Sequence, residues 1–178
     1  MLAIGLPDYI AIIQLNFFIL GLMSRFSFSL CFLCIAFIAF AAEILTGKVV
    51  AVADGDTITI LNSNFQQVKI RLHGIDCPEK SQDFGQKAKQ FTSDLCYGKT
   101  VEVQALDTDR YGRTIGLVTL PDGKILNKEL LKAGLAWHYT HYDKSQEFAI
   151  LEATAKKNKV GLWVQPNAIA PWDFRRSK

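Results

Sequence analysis

Three clusters of polar residues in this 178-residue chain have the types that chemistry at a phosphate requires. Asp54-Gly55-Asp56-Thr57 places two carboxylates at a turn. The stretch Arg71-Leu72-His73-Gly74-Ile75-Asp76-Cys77-Pro78-Glu79 holds a guanidinium and two further carboxylates. Asp109-Arg110-Tyr111-Gly112-Arg113 adds a second arginine and an aromatic ring. Opening a phosphodiester requires that charge building on the phosphoryl oxygens be stabilised and that a water be activated and oriented. A hard divalent cation with oxygen ligands can stabilise that charge. Planar guanidiniums, which grip phosphate through two parallel N–H groups, can do so as well. A carboxylate can position or deprotonate the water. Each cluster alone is unspecific. An Asp-Gly pair most often only makes a turn, Arg71 could be an exposed strand residue, and Arg113 could be a surface partner of Asp109.

The pattern around these clusters is that of a small β-rich domain. Ile44–Ala53, Thr57–Leu61 and Val68–His73 alternate and are bounded by the turn signals Asp54-Gly55 and Asn62-Ser63-Asn64, so three strands in a meander are expected. Phe84, Ala88, Phe91 and Leu95 recur at helical spacing within Asp83–Tyr97, and Gly98 stops that helix. Thr100–Leu106 and Thr114–Leu120 read as two more strands, with the Asp109 cluster in the hinge between them. Asn127 is expected to cap a short helix ending at Gly134. Ser145–Lys159 reads as a third helix, with Lys156, Lys157 and Lys159 at the dipole's negative end. The tail 166–178 is expected to be extended over the surface. The order implies a β-rich α+β fold, a closed five-stranded barrel of the oligonucleotide-binding type with three α-helices.

Taken together, the clusters and their flanking elements resemble the staphylococcal (micrococcal) nuclease family, the thermonucleases. The resemblance covers about Thr46 to Trp163 and includes Asp54-Gly55-Asp56-Thr57, the Arg71…Asp76-x-Pro78-Glu79 spacing, Asp109-x-Tyr111-Gly112-Arg113 and Gly134-Leu135-Ala136. The closing Gly161-Leu162-Trp163 and Ala170-Pro171-Trp172 look like the exported bacterial branch. The resemblance implies a Ca²⁺-dependent endonuclease acting on DNA and RNA and leaving 3′-phosphate ends. It implies Asp56 and Asp76 as metal ligands, with the backbone carbonyl of Cys77, which stands where the family usually has threonine. It implies Glu79 as general base or orienter of the water, and Arg71 and Arg113 as clamps on the scissile phosphate. Tyr111 would contact the terminal phosphate or nucleotide, and Asp54 and Thr57 would support the metal site. No stable protein partner is implied, and a monomer is expected. One departure is visible: only Lys80-Ser81-Gln82-Asp83 separates Glu79 from the helix start, where the family's type member has a long lysine-bearing loop. The alternative is a non-catalytic nucleic-acid-binding module on the same fold, since fold alone does not fix activity.

Bulk composition decides little. Lys plus Arg is 20 against 17 for Asp plus Glu, a net of +3 that does not point to a nucleic-acid partner by itself. Residues 1–42 read as an apolar leader. The run Phe26–Phe40, behind Arg25 and ahead of Ala39-Phe40-Ala41, has the layout of a signal peptide starting at Met23. Cleavage is expected near Ala41 or Ala42, exporting a domain 43–165 with its tail; an uncleaved membrane anchor is the alternative. Cys77 and Cys96 survive the leader, and both a disulfide and two buried thiols are open. His138 and His141 invite a zinc reading but bring no third and fourth ligand with them.

Overall fold

Strand alternation sets the architecture of the computed structural model, which describes residues 43–177. The leader and its cleavage site lie outside the described residues. Strands β1 (Ile44–Asp54), β2 (Thr57–Asn62) and β3 (Gln67–Leu72) form an antiparallel meander. Strand β3 is followed by the two-residue β4 (Ile75–Asp76) and helix α1 (Gly85–Cys96). Strands β5 (Thr100–Thr108) and β6 (Thr114–Thr119) make a hairpin. Strand β6 runs parallel to β3, β5 pairs with β1, and the sheet closes in the order β1-β2-β3-β6-β5. Closure removes every free sheet edge from a small barrel. Helix α2 (Leu126–Lys132), strand β7 (Trp137–His138), helix α3 (Gln146–Lys157), a 3-10 turn (Gly161–Val164) and helix α4 (Pro171–Arg176) complete the chain.

The barrel interior follows from the period-2 pattern. Val49, Ile58, Ile60, Ile70, Leu72, Val101, Val103 and Val118 point inward and are fully buried. Helix α1 contributes Ala88 and Cys96 to the same core, and α2 contributes Leu126, Leu130 and Leu131. Helix α3 is capped by the Ser145 hydroxyl, which accepts from the Phe148 N–H, and packs through Phe148 and Ala155. Gly134 and Gly161, both with φ of +60°, let two chain segments pass backbone to backbone. A Cβ on Gly134 would lie 2.2 Å from the Val160 carbonyl oxygen.

Two expectations are corrected. Asn127 does not cap α2; the residue at that position is Ile125, which makes no side-chain cap. Asn127 lies inside the helix, fully buried, and its amide ties strand β6 to the turn after β3. Its Oδ1 accepts from the Val118 N–H, and its Nδ2 donates to the carbonyls of His73 and Gly116. The tail is not extended throughout, because Pro171 opens the short helix α4, where its missing N–H is no loss. The three expected helices are thus joined by a fourth. Cys77 and Cys96 are both free and buried. Burial pushes the Cys96 thiol up to about 11 and raises the Cys77 thiol further, so neither is a ready thiolate. His138 is buried, and its Nε2 lies 2.7 Å from Asp143 Oδ2, which accounts for it without a metal.

Candidate active site

Barrel topology brings the polar clusters to one mouth. The register that pairs Thr57 with Arg71 sets the Asp54–Asp56 turn beside the end of β3. On β3 the neighbours Ile70 and Leu72 face the core, so alternation turns Arg71 outward into the cleft. The main chain then turns into β4, whose pairing of Asp76 with Trp137 on β7 fixes the second acidic residue. The β5–β6 hairpin reaches over from the other side, since β3 and β6 are neighbours in the sheet. All nine residues proposed from sequence line one open cleft of about 910 Å³: Asp54, Asp56, Thr57, Arg71, Asp76, Cys77, Glu79, Tyr111 and Arg113.

Arg71 is the centre of this arrangement. Its Nη1 contacts Asp56 Oδ1, and its Nη2 donates to Asp76 Oδ1 at 2.7 Å. One guanidinium therefore spans two carboxylates that are almost completely buried. The second Asp56 oxygen accepts from the Cys77 N–H at 2.6 Å, and the Thr57 hydroxyl lies 3.3 Å from the first. The Cys77 thiol belongs to the apolar core, while its backbone faces the acidic residues.

Glu79 sits in the loop that joins β4 to α1. That loop turns tightly, with the Gln82 N–H donating to the Glu79 carbonyl and the Glu79 N–H to Gln82 Oε1. Helix α1 starts hard against it, and a Cβ on Gly85 would fall 1.9 Å from the Glu79 carbonyl oxygen. Only glycine allows that approach.

In the hairpin, Asp109 organises the turn. Its Oδ1 accepts from the Tyr111 and Arg113 N–H groups, and its Oδ2 accepts from Arg113 Nε at 2.7 Å. Burial pushes the Asp109 carboxyl pKa up, but the hydrogen bonds from Arg113 and Tyr111 outweigh it and the net is a decrease. The Tyr111 ring is exposed, with the guanidiniums of Arg110 and Arg113 at 4.8 and 5.6 Å from its centre.

Sequence reading missed Arg175. From helix α4 its Nη2 donates to Asp76 Oδ2 at 2.7 Å and its Nη1 to Glu79 Oε1 at 2.6 Å. Burial pulls the pKa of this guanidinium down, but the bonds to Asp76 and Glu79 dominate and raise it overall. The signal that could have located it is Pro171 at a helix start with a basic pair a turn later.

The donor set is hard. Asp54, Asp56, Asp76 and Glu79 face Arg71 and Arg175, so acidic groups outnumber the basic ones that touch them. Asp54 Oδ1 is buried and has no hydrogen-bond partner. An orphaned carboxylate oxygen in a cleft that Asp56, Asp76 and Glu79 also line fits an oxygen-loving divalent cation. Among the described residues no group of three or more His, Cys, Asp or Glu is placed to hold a metal ion. A hard cation does not need such a group, because backbone carbonyls and water complete its shell.

The comparisons with known proteins give the family. The model of the family described as staphylococcal nuclease homologue matches residues 69–165. An uncharacterized endonuclease of Escherichia coli O157:H7 is 42% identical over 132 residues, which span 74% of this chain and 86% of that protein. A micrococcal nuclease of Shigella flexneri is 39% identical over 141 residues, 74% of this chain and 80% of the other. An uncharacterized endonuclease of Haemophilus influenzae is 41% identical over 133 residues, covering 75% and 74%. With its barrel, its paired acidic residues under one arginine and this extent of similarity, the chain belongs to the staphylococcal nuclease family.

Proposed function

We propose that this protein is a Ca²⁺-dependent endonuclease that hydrolyses phosphodiester bonds of DNA and RNA and leaves 3′-phosphate ends. The observation that carries the reading is the single guanidinium of Arg71 held between Asp56 and Asp76, in the cleft that Glu79 and Arg113 also line. Asp56, Asp76 and the Cys77 carbonyl would hold the cation, with Asp54 and Thr57 behind them. When bound, it supplies Lewis-acid stabilisation of charge on the phosphoryl oxygens.

The chain's own groups account for the rest. Glu79, partly exposed at the cleft mouth, accepts a proton from the attacking water as the new O–P bond forms. The bond from phosphorus to the 5′ oxygen breaks, that oxygen leaves with the electron pair and takes up a proton from solvent, and the 3′ side keeps the phosphate. Arg71 and Arg113 each present N–H groups in a fixed plane and lower the energy of the extra charge. Tyr111 offers an exposed ring and hydroxyl to the neighbouring nucleotide. Against a non-catalytic binding module stands the retention of Asp56, Arg71, Asp76, Glu79 and Arg113 in one cleft.

The test is incubation of the purified protein with single-stranded DNA, double-stranded DNA and RNA, with and without Ca²⁺, and mapping of the ends. Chelation should abolish cleavage and Ca²⁺ restore it, with 3′-phosphates in the products. Glu79→Gln should lower turnover by about 100-fold or more while leaving the melting temperature unchanged. Full activity in excess chelator would refute the cation's role. Export is part of the same proposal, supported by the short apolar run Phe26–Phe40 and the small residues after it. Mass spectrometry of the released protein should place its N-terminus near Ala42 or Glu43.

A further inference from the structure

The C-terminal helix enters the candidate site through a residue that neither the barrel nor the motif clusters supply. We propose that Arg175 is a positioning residue that ties the Glu79 carboxylate to Asp76 and so makes the tail an integral part of the active site. The inference rests on the reading of Glu79 as the group that orients or deprotonates the attacking water.

The two carboxylates need different amounts of help. Asp76 is fully buried, fixed by the β4–β7 pairing and held by Arg71. Glu79 projects from a loop with its side chain 37% exposed, and among the described residues Arg175 is the only partner of its carboxylate. A glutamate side chain with three rotatable bonds samples many positions unless something holds it. Arg175 bonds Glu79 Oε1 at 2.6 Å and Asp76 Oδ2 at 2.7 Å through different nitrogens of one rigid plane. The guanidinium therefore fixes the movable carboxylate at a set distance from the immobile one.

The tail is built to deliver this contact. The Trp172 ring stacks on Tyr139 with centres 5.1 Å apart and planes at 12°, and meets Trp137 edge-on at 5.7 Å. Trp137 is the β7 residue paired with Asp76, so helix and acidic ligand share one support. Pro171 and Ala170 are buried. Gln82 adds a tie to the Glu79 loop itself: its Oε1 accepts from the Glu79 N–H and its Nε2 donates to the Ile169 carbonyl at 2.7 Å. Base loop and tail are bound together at both backbone and side chain.

The experiment measures kcat and KM for cleavage of an end-labelled single-stranded DNA oligonucleotide with Ca²⁺. It compares protein expressed from the full chain as wild type, Arg175→Gln, Arg175→Lys, Glu79→Gln and the Arg175→Gln/Glu79→Gln double variant. Arg175→Gln should lower kcat about tenfold or more with KM changed less than about threefold. Its melting temperature should stay near that of wild type, because the residue is exposed and Trp172 still anchors the helix. Arg175→Lys should remain well below wild type, because an ammonium cannot span both carboxylates in one plane. The double variant should be no slower than Glu79→Gln alone within about twofold, since Arg175 acts through the missing carboxylate. Wild-type turnover in Arg175→Gln, full rescue by lysine, or losses that multiply in the double variant would overturn the inference. A rise in kcat would overturn it too, by showing that the tail blocks the site. Should Glu79→Gln itself keep full activity, the underlying reading of the base fails, and that result is distinct from any of these.

Discussion

Replacing Arg71 by methionine removes a guanidinium from between two buried carboxylates while keeping most of the side-chain volume. In the folded protein Asp56 and Asp76 then face each other without the charge that spans them. Removing one partner of a buried ion pair typically destabilises by about 3–5 kcal/mol. Here the loss belongs at the lower end, because Asp56 keeps the Cys77 N–H and Asp76 keeps Arg175. We expect about 3 kcal/mol, a large share of the roughly 5–15 kcal/mol that holds a domain together. For a domain of this size the melting temperature should fall by about 10 °C. The same vacancy of positive charge makes a divalent cation bind more tightly to the variant than to wild type. Saturating Ca²⁺ should therefore narrow the gap, since a ligand at about 100 times its Kd adds roughly 2.7 kcal/mol. Thermal unfolding followed by circular dichroism, in chelator and in millimolar Ca²⁺, reads both effects. A gap below about 1 kcal/mol without cation, or one that Ca²⁺ leaves unchanged, would refute the electrostatic account of this site.

Two further predictions concern the frame. Asn127→Ala should destabilise by about 3 kcal/mol, because it strands the Val118 N–H and the His73 carbonyl in the interior, while the Gly116 carbonyl keeps the His73 N–H, and urea unfolding measures it. Asp143→Asn should destabilise by about 2 kcal/mol at pH 7. Burial pushes the Asp143 pKa up, but the bonds from Ser145 and His138 prevail and depress it in the folded state. Its stabilising contribution is thus present above the ordinary carboxylate value of about 3.9 and is lost as pH falls through the folded value. The difference between wild type and variant should shrink toward zero as unfolding is measured at successively lower pH, and a difference that stays constant would exclude Asp143 as its source.

Strand positions were legible from residue type because a barrel with one buried face must alternate. Ile58, Ile60, Ile70 and Leu72 announce themselves as core, and Arg71 between two of them announces the opposite face. The acidic and basic clusters were legible only in combination: each alone is equally an ordinary turn or a solvated face, and Asp109 does organise its turn, whereas their joint order and spacing resemble one nuclease family. Asn127 was misread because its local surroundings suit a helix cap, while its partners lie 9, 11 and 54 positions away, on β6 and in the turn after β3, which only the folded barrel brings near.

Arg175 marks the boundary between the two kinds of knowledge. Local pattern establishes the elements and the chemical kind of each cluster, because propensity and periodicity act over a few neighbouring residues. Which cluster meets which, and that a tail helix should place a cation on Asp76 and Glu79 from 99 and 96 positions away, depends on how surfaces pack. Such contacts follow from the closure of the barrel and the stacking of Trp172 on Tyr139, and neither leaves a trace at short range along the chain.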